Sequence, residues 1–210
     1  MGDQVGQAVG GTLYHVPAQE FVRVREGCDS KVRRTELFAA LCRINILYMI
    51  ARCGSGHIGS SFSSIDIMAW LHLNEMRNMD TADPDLASPD IFFSSKGHDA
   101  PALYSSLIGL GKLDYDLIHQ LRRIDGLPGH PDVAIPHVVT NTGSLGMGIS
   151  KAKGMIFANR LKGKVAKVFV LTGDGELQEG QFWESLVSAK NCKMDELTVI
   201  IDHNKLQSDT

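Results

Sequence analysis

The feature that most constrains the fold is a pair of apolar runs joined by a helix-like segment. The runs cover residues 165–171 and 197–201, are rich in β-branched residues and barely alternate with polar ones. That pattern is typical of strands buried on both faces of a parallel sheet. Residues 181–192 carry apolar side chains at helical spacing, so we predict a strand, a right-handed crossover helix and a parallel strand. The fold class is therefore α/β, a parallel sheet with helices on both faces.

Polar residues follow both predicted strands. Asp174 lies in a Gly-Asp-Gly turn after the first strand, and Asn204 follows the second. We expect both at one sheet edge, because parallel strands end at the same edge. Ligands of open α/β sheets bind at this edge, where the carboxyl ends of the strands lie. One carboxylate and one amide would suit a magnesium ion that carries a diphosphate, with Gly175 leaving room for a phosphate oxygen. The alternative is a plain turn beside a surface asparagine.

The composition excludes several classes of partner. The 210 residues are 43% hydrophobic and 21% charged, which describes one α/β domain with a core of its own. The net charge of −3 provides no basic field, so we expect neither nucleic acid nor a membrane as partner. The four cysteines show no CxxC pair and no zinc spacing, which predicts reduced thiols in a cytoplasmic protein.

The chain divides into an arm and one domain. Residues 1–28 contain scattered glycines and no apolar block long enough for a signal peptide or membrane span, and we expect a flexible arm without chemistry. Residues 29–210 form the domain. Ser63 and Asp66 are spaced as a capping box that would open a helix through Trp70. The other predicted elements are a helix from about Asp29 to Gly54, helices over 101–110, 114–124 and 149–161, and a short strand over 91–93.

Three of the eight histidines follow a glycine in a predicted loop: His57, His98 and His130. A glycine neighbour frees the imidazole to reach into a cleft. Histidine titrates near neutral pH and both donates and accepts, which suits proton movement and hydrogen bonds to sugar hydroxyls or phosphate. Each of them alone is also explained as a loop histidine without a role, and a three-histidine zinc site is a further alternative that the spacing does not favour.

Together these motifs resemble the transketolase family. The histidine motifs SGH, SKGH and PGHPD are followed by TGSLGMG at residues 142–148 and by GDG, with an asparagine thirty residues after its aspartate. In this order they resemble the diphosphate-binding domain of transketolase over about residues 30–210. The deoxyxylulose phosphate synthase branch is similar too, but the proline after His130 and the stretch EGQFWE resemble transketolase more closely.

The resemblance implies a thiamine diphosphate site with magnesium, for which Ca²⁺ or Mn²⁺ could substitute. It assigns three metal ligands, which are Asp174, Asn204 and the backbone carbonyl of Leu206. It assigns six cofactor-binding residues, which are His98, Gly143, Leu145, Gly175, Glu176 and Asn204. Four residues are implied in catalysis: His57, His98, His130 and Glu179. Gly143 and Leu145 would lie beside the cofactor rings, and His98 would contact the diphosphate side.

The implied reaction is transfer of a two-carbon ketol unit from a ketose or ketose phosphate to an aldose. His57 and His130 would face the sugar and assist proton transfer, while Glu179 would lie at a subunit contact near the glutamate that activates the cofactor. The cofactor carries the difficult step, and the protein orients the reactants and stabilises charge.

The resemblance is incomplete in two respects. Ile58 and Thr210 stand where the family usually has proline and glycine, and the chain stops six residues after Asn204, without a pyrimidine-binding domain. We therefore expect a C-terminally incomplete domain or the first subunit of a split transketolase. Its partners would be a C-terminal subunit, in a hetero- or homo-oligomer, and sugar or sugar-phosphate substrates. The alternative is a non-catalytic or regulatory module that binds the cofactor and docks a transketolase-like partner.

Overall fold

The computed structural model describes residues 12–77 and 89–205. The helices of this part are α1 (Ala18–Gly27), α2 (Lys31–Cys53), α3 (Ile58–Trp70), α4 (Ala100–Gly109), α5 (Gly148–Leu161) and α6 (Gly180–Asn191). The strands are β1 (Ile91–Ser94), β2 (Val168–Gly173) and β3 (Leu197–Asp202). Shorter turns are π-helical at Leu71–Glu75 and 3-10 helical at Tyr115–His119 and Asp174–Gln178. None of the helices described is long and apolar enough to cross a membrane.

The three strands form one parallel sheet in the order β1-β2-β3. Helix α6 connects β2 to its parallel neighbour β3, as the apolar runs predict. The register pairs Val168 with Leu197 at one end and Gly173 with Asp202 at the other. β2 and β3 therefore end level with each other, and the residues that follow them lie side by side.

Helices cover both faces of the sheet, which confirms the predicted fold class. Phe169 and Leu171 of β2 belong to a core cluster with residues of α1, α2, α3 and α4. Val168 and Val170 belong to a second cluster with residues of α5 and α6. Successive residues of a strand point to opposite faces. Because both faces are covered by apolar helices, the strand has no polar positions until Thr172.

The prediction of a flexible arm over residues 1–28 is wrong for its second half, which contains a helix. Residues 18–27 form α1, and Phe21 is 1% exposed, with its ring packed edge-to-face on Phe38 at a centroid distance of 5.4 Å. The Val16 amide donates to Asn45 Oδ1 at 2.7 Å, which anchors the segment before the helix. One buried aromatic residue and this hydrogen bond dock the segment against α2. Residues 1–11 lie outside the described residues.

The predicted capping box is wrong, because α3 begins at Ile58 and Ser63 and Asp66 lie inside the helix. The Ser63 hydroxyl instead donates to Asp202 Oδ2 at 2.6 Å. Ser63, which the sequence predicts to be a helix cap, thus connects α3 to the end of β3.

The predicted helix over residues 114–124 is shorter than expected. Only Tyr115–His119 are helical, and they form a 3-10 turn. Asp114 does cap it, since its carboxylate accepts from the Asp116 amide at 2.8 Å. The chain then bends back at Arg122, whose φ of 55° ends any helix, and Leu121 pairs with Leu127 in an isolated bridge.

Candidate functional site

The first part of the site is the edge where β2 and β3 end. The turn at Asp174 lies against the loop of residues 203–205. Asp174 Oδ2 accepts a hydrogen bond from the Lys205 amide at 3.0 Å, and its Oδ1 accepts from the Gly175 amide at 3.1 Å. The expected meeting of Asp174 with the loop of Asn204 is therefore confirmed.

This edge offers one carboxylate and one amide to a cation. Asp174 and Asn204 are both half-buried. Within residues 12–77 and 89–205, no group of three or more His, Cys, Asp or Glu side chains is arranged to hold a metal ion, so the alternative three-histidine zinc site is not formed there. Mg²⁺ usually takes one or two carboxylates and fills its octahedron with phosphate oxygens and water. The donors fit a magnesium ion that arrives with a diphosphate. Leu206, the third expected ligand, lies outside the described residues.

Glu176 ties this edge to the glycine-dense loop of residues 143–148. The residue is 2% exposed. Its Oε1 accepts from the Gly146 amide at 3.1 Å and from the Ser95 hydroxyl, and its Oε2 accepts from the Gly173 amide at 2.9 Å. Both carboxylate oxygens are engaged within the protein. Glu176 therefore holds the loop of residues 143–148 against the turn after β2.

The second part of the site is a pair of histidine rings. His57, just before α3, and His98, in the loop after β1, have ring centroids 5.0 Å apart with 66° between their planes. His98 Nδ1 lies 2.6 Å from the Lys96 carbonyl oxygen. Because a carbonyl only accepts, Nδ1 carries the proton, and Nε2 remains as an acceptor for a ligand.

The electrostatics of the pair favour a neutral His98. Burial lowers the pKa of His98 below its usual 6.5, and the positive charges of Lys96 and His57 lower it further. Asp99 and the hydrogen bond to the Lys96 carbonyl act in the opposite direction without reversing the shift. At neutral pH the ring is therefore an uncharged acceptor at Nε2.

His130 joins the histidine pair from a separate loop. A Cβ atom on Gly97 would lie 2.4 Å from Thr142 Oγ1 and 3.0 Å from His130 Nδ1, and Gly97 has a φ of +66°, so only glycine fits there. A Cβ on Gly143 would lie 3.8 Å from the same His130 nitrogen. The three sequence-predicted histidines and Gly143 are thus brought together around the loop after β1. His57 and His130 are exposed, and His98 is half-buried.

Gly146, which directly follows Leu145, lies against Glu179. Gly146 has a φ of +76°, and a Cβ atom there would lie 2.8 Å from the Glu179 Cβ. A larger residue at this position would push the two segments apart. Leu145 is 55% exposed, so it presents an apolar side chain beside this contact, while Glu179 is half-buried.

Sequence reasoning missed a buried ion pair that joins the loop of His98 to the end of β3. Lys96 and Asp202 form an ion pair whose side chains are 2% and 7% exposed. Lys96 Nζ also donates to Ser64 Oγ at 2.8 Å, and Ser63 donates to Asp202. A signal was present: each charged residue follows or ends an apolar strand of the sheet, where a buried charge needs a partner.

Unpaired polar atoms gather around the histidine loops. Among buried side-chain nitrogen and oxygen atoms of the described residues, those without a partner in this region are Ser60 Oγ, Ser61 Oγ, Asp99 Oδ1 and Thr142 Oγ1. Buried polar groups are nearly always hydrogen-bonded, so orphans indicate positions that water or a ligand fills. Ser60 lies in the first turn of α3, and Thr142 lies against Gly97. These four atoms therefore have hydrogen-bonding capacity that no group of the described residues uses.

Comparison with known proteins finds similarity to one protein family over most of the chain. The family model described as "Transketolase, thiamine diphosphate binding domain" matches residues 35–210. The chain is 41% identical over 157 residues to an apulose-4-phosphate transketolase subunit of Actinobacillus succinogenes, covering 72% of this chain and 55% of that protein. It is 37% identical over 199 residues to human transketolase, covering 93% of this chain and 30% of that protein.

A solved structure resembles the fold as well. Transketolase from Campylobacter jejuni aligns with a TM-score of 0.72 and 27% sequence identity, covering 83% of this chain and 28% of the other. This chain thus spans about half the length of the Actinobacillus relative and under a third of the human and Campylobacter transketolases.

Proposed function

The chain belongs to the transketolase family through its thiamine diphosphate-binding domain, and we propose that it binds thiamine diphosphate with magnesium as one half of a ketol-transferring active site. The supporting observation is the meeting of Asp174 with the loop of Asn204. Asp174, Asn204 and the Leu206 carbonyl would hold the cation, which would neutralise the phosphates.

The loops around this edge would receive the rest of the cofactor. The amide-rich turn at Gly175 would approach the diphosphate, and Gly143 and Leu145 would lie beside the cofactor rings. Glu176 would support this site indirectly, because its hydrogen bonds hold the loop of residues 143–148 against the turn after β2. Glu179, across from Gly146, would lie at the subunit contact near the cofactor.

The histidines would bind and orient the ketose donor. His98 would lie on the diphosphate side, and its Nε2 would accept from a donor such as a ligand hydroxyl, since its Nδ1 is committed to the Lys96 carbonyl. His57 and His130 are exposed and would contact sugar hydroxyls and move protons at them. When bound, thiamine diphosphate supplies the electron sink that carbon–carbon cleavage requires. The net reaction would move a two-carbon ketol unit from a ketose or its phosphate to an aldose.

A second polypeptide would complete the site. The relative from Actinobacillus is itself one subunit of a transketolase, which supports a partner with a pyrimidine-binding domain for this chain. Trp183 and Val187 of α6 are 53% and 62% exposed and offer apolar surface to that partner. The four cysteines are free, which fits the cytoplasmic location that we propose.

Calorimetry tests the cofactor site. We expect magnesium-dependent binding of thiamine diphosphate to the assembled complex, and loss of that binding in Asp174→Ala, because the cation loses its one carboxylate. Asn204→Ala should weaken binding less. Asp195→Ala, an exposed aspartate before the opposite end of β3, is the matched control and should bind as the wild type does. Unchanged affinity in Asp174→Ala would reject the metal assignment.

Reconstitution tests the split site. The chain should be inactive alone and should transfer a ketol unit from xylulose 5-phosphate or a related ketose only when mixed with a chain that carries a pyrimidine-binding domain. Full activity of the isolated chain would overturn the proposal.

A further inference from the structure

The Lys96–Asp202 ion pair lies between the two parts of the candidate site. We propose that Lys96 and Asp202 are positioning residues, which fix the metal-ligand loop of residues 203–205 relative to the loop that carries His98. The functional meaning of this inference rests on the proposed cofactor site, but the positioning itself concerns only residues of this chain.

Lys96 is attached to both parts of the site. Its carbonyl oxygen accepts from His98 Nδ1 at 2.6 Å, which sets the orientation of that ring. Its side chain runs past Gly173, where a Cβ would lie 3.6 Å from Lys96 Cγ, and ends at Asp202. Nζ also donates to Ser64 Oγ at 2.8 Å. One residue thus links the end of β1 with α3 and with the end of β3.

Asp202 controls where the metal-ligand loop leaves the sheet. It is the last residue of β3, two residues before Asn204 and three before Lys205, whose amide binds Asp174. Asp202 Oδ2 accepts from both Lys96 and Ser63. β3 is an edge strand in the described sheet, with β2 on one side only. Its end therefore depends on these side-chain bonds for a fixed direction.

Stability alone does not explain a buried ion pair at this place. Taking two charges out of water is costly, and an apolar pair of similar volume often serves stability equally well. Apolar contact is non-directional, whereas the donors on Asp202 fix one carboxylate geometry. The residues around metal ligands usually orient those ligands, and their loss typically weakens metal binding about 10- to 100-fold.

The double variant Lys96→Met/Asp202→Leu separates positioning from stability. We expect its urea unfolding midpoint to stay near that of the wild type, since no charge is left unpaired. In the cofactor-free chain, hydrogen exchange of the Lys205 amide, followed by nuclear magnetic resonance, should be about tenfold faster because the loop is no longer held. The Gly173 amide, bound to Glu176, should keep its exchange rate. Affinity of the assembled complex for thiamine diphosphate with magnesium should fall about 10- to 100-fold.

The matched control is Arg160→Met/Glu196→Leu, which removes the ion pair next to the other end of β3. It should change neither the Lys205 exchange rate nor cofactor affinity. Wild-type values of both in Lys96→Met/Asp202→Leu would show that the pair is merely structural and would overturn the inference. If that variant does not fold, Lys96→Met/Asp202→Asn, which also leaves no buried charge unpaired and keeps the side-chain shape at position 202, gives the same two measurements. If even the wild type binds no cofactor, the proposed function fails, and the Lys205 exchange rate still decides the positioning.

Discussion

Glu176→Gln tests whether one buried carboxylate holds the site loops together. The two oxygens of Glu176 accept from three donors, which are the Ser95 hydroxyl and the amides of Gly146 and Gly173. Glutamine has nearly the same shape but only one acceptor oxygen. Its NH₂ group must therefore face at least one of these donors, in a position that is 2% exposed.

The magnitude follows from counting donors. A buried donor left without a partner costs about 1–3 kcal/mol, and hydrogen bonds to a charged acceptor are stronger than neutral ones by roughly 1 kcal/mol. One orphaned donor and weaker bonds to the others give a loss of about 2–4 kcal/mol in the free energy of unfolding.

Equilibrium urea denaturation measures this loss directly. The midpoint should fall while the dependence on urea concentration stays the same, because the surface exposed on unfolding does not change. Glu184→Gln, an exposed glutamate on α6, is the matched control and should lie within about 0.5 kcal/mol of the wild type. A Glu176→Gln variant equally close to the wild type would refute the role of Glu176 as the tie between the loops.

Two further predictions concern histidines. His130→Ala should leave cofactor affinity nearly intact but lower kcat and raise the KM for the ketose donor, because a sugar contact is lost. Steady-state kinetics of the assembled complex measure both constants, and wild-type values of both would contradict this prediction. His72 lies 2.9 Å from Ser106 Oγ, and burial lowers its pKa from 6.5 to about 4. As the pH falls from 7 to 5, His72 therefore gains a proton in the unfolded chain but not in the folded chain. The free energy of unfolding should drop by about 2 kcal/mol over this range. His72→Gln should lose that part of the acid sensitivity, and equal pH dependence in both proteins would exclude the assignment.

The fold is predictable where the signal is local or repeats with the period of an element. The apolar runs give β2 and β3, and α6 between them makes their parallel pairing the natural result. The helix expected over residues 114–124 fails because only Tyr115–His119 are helical and the backbone turns to positive φ at Arg122. The sequence does not predict α1, because the helix is buried through packing of Phe21 against Phe38 of α2. The pattern of the first 28 residues gives no sign of that contact.

The loops of the candidate site are predictable from the sequence, but the buried residues that hold those loops together are not. Glycine–histidine pairs and the Gly-Asp-Gly turn stand out in sequence because they are compact motifs. The Lys96–Asp202 pair joins residues that are 106 positions apart. Lys96 stands in the SKGH motif, but nothing in that motif indicates Asp202 as its partner. The resemblance assigns Glu176 to the cofactor, and its three bonds inside the protein become visible only when the loops are folded together.

The candidate site is built in two layers that have different physical tasks. The lower layer consists of the buried residues Glu176, Lys96 and Asp202, which bond to other groups of the described chain and which we propose fix the directions of its loops. The upper layer, His57 and His130, is exposed, and it is where we propose that sugar hydroxyls bind. When buried residues already fix the geometry of the loops that carry the contacts, a ligand loses less binding free energy to ordering those loops. A substitution in the lower layer should therefore weaken cofactor and substrate contacts together, whereas a substitution in the upper layer should affect the sugar alone.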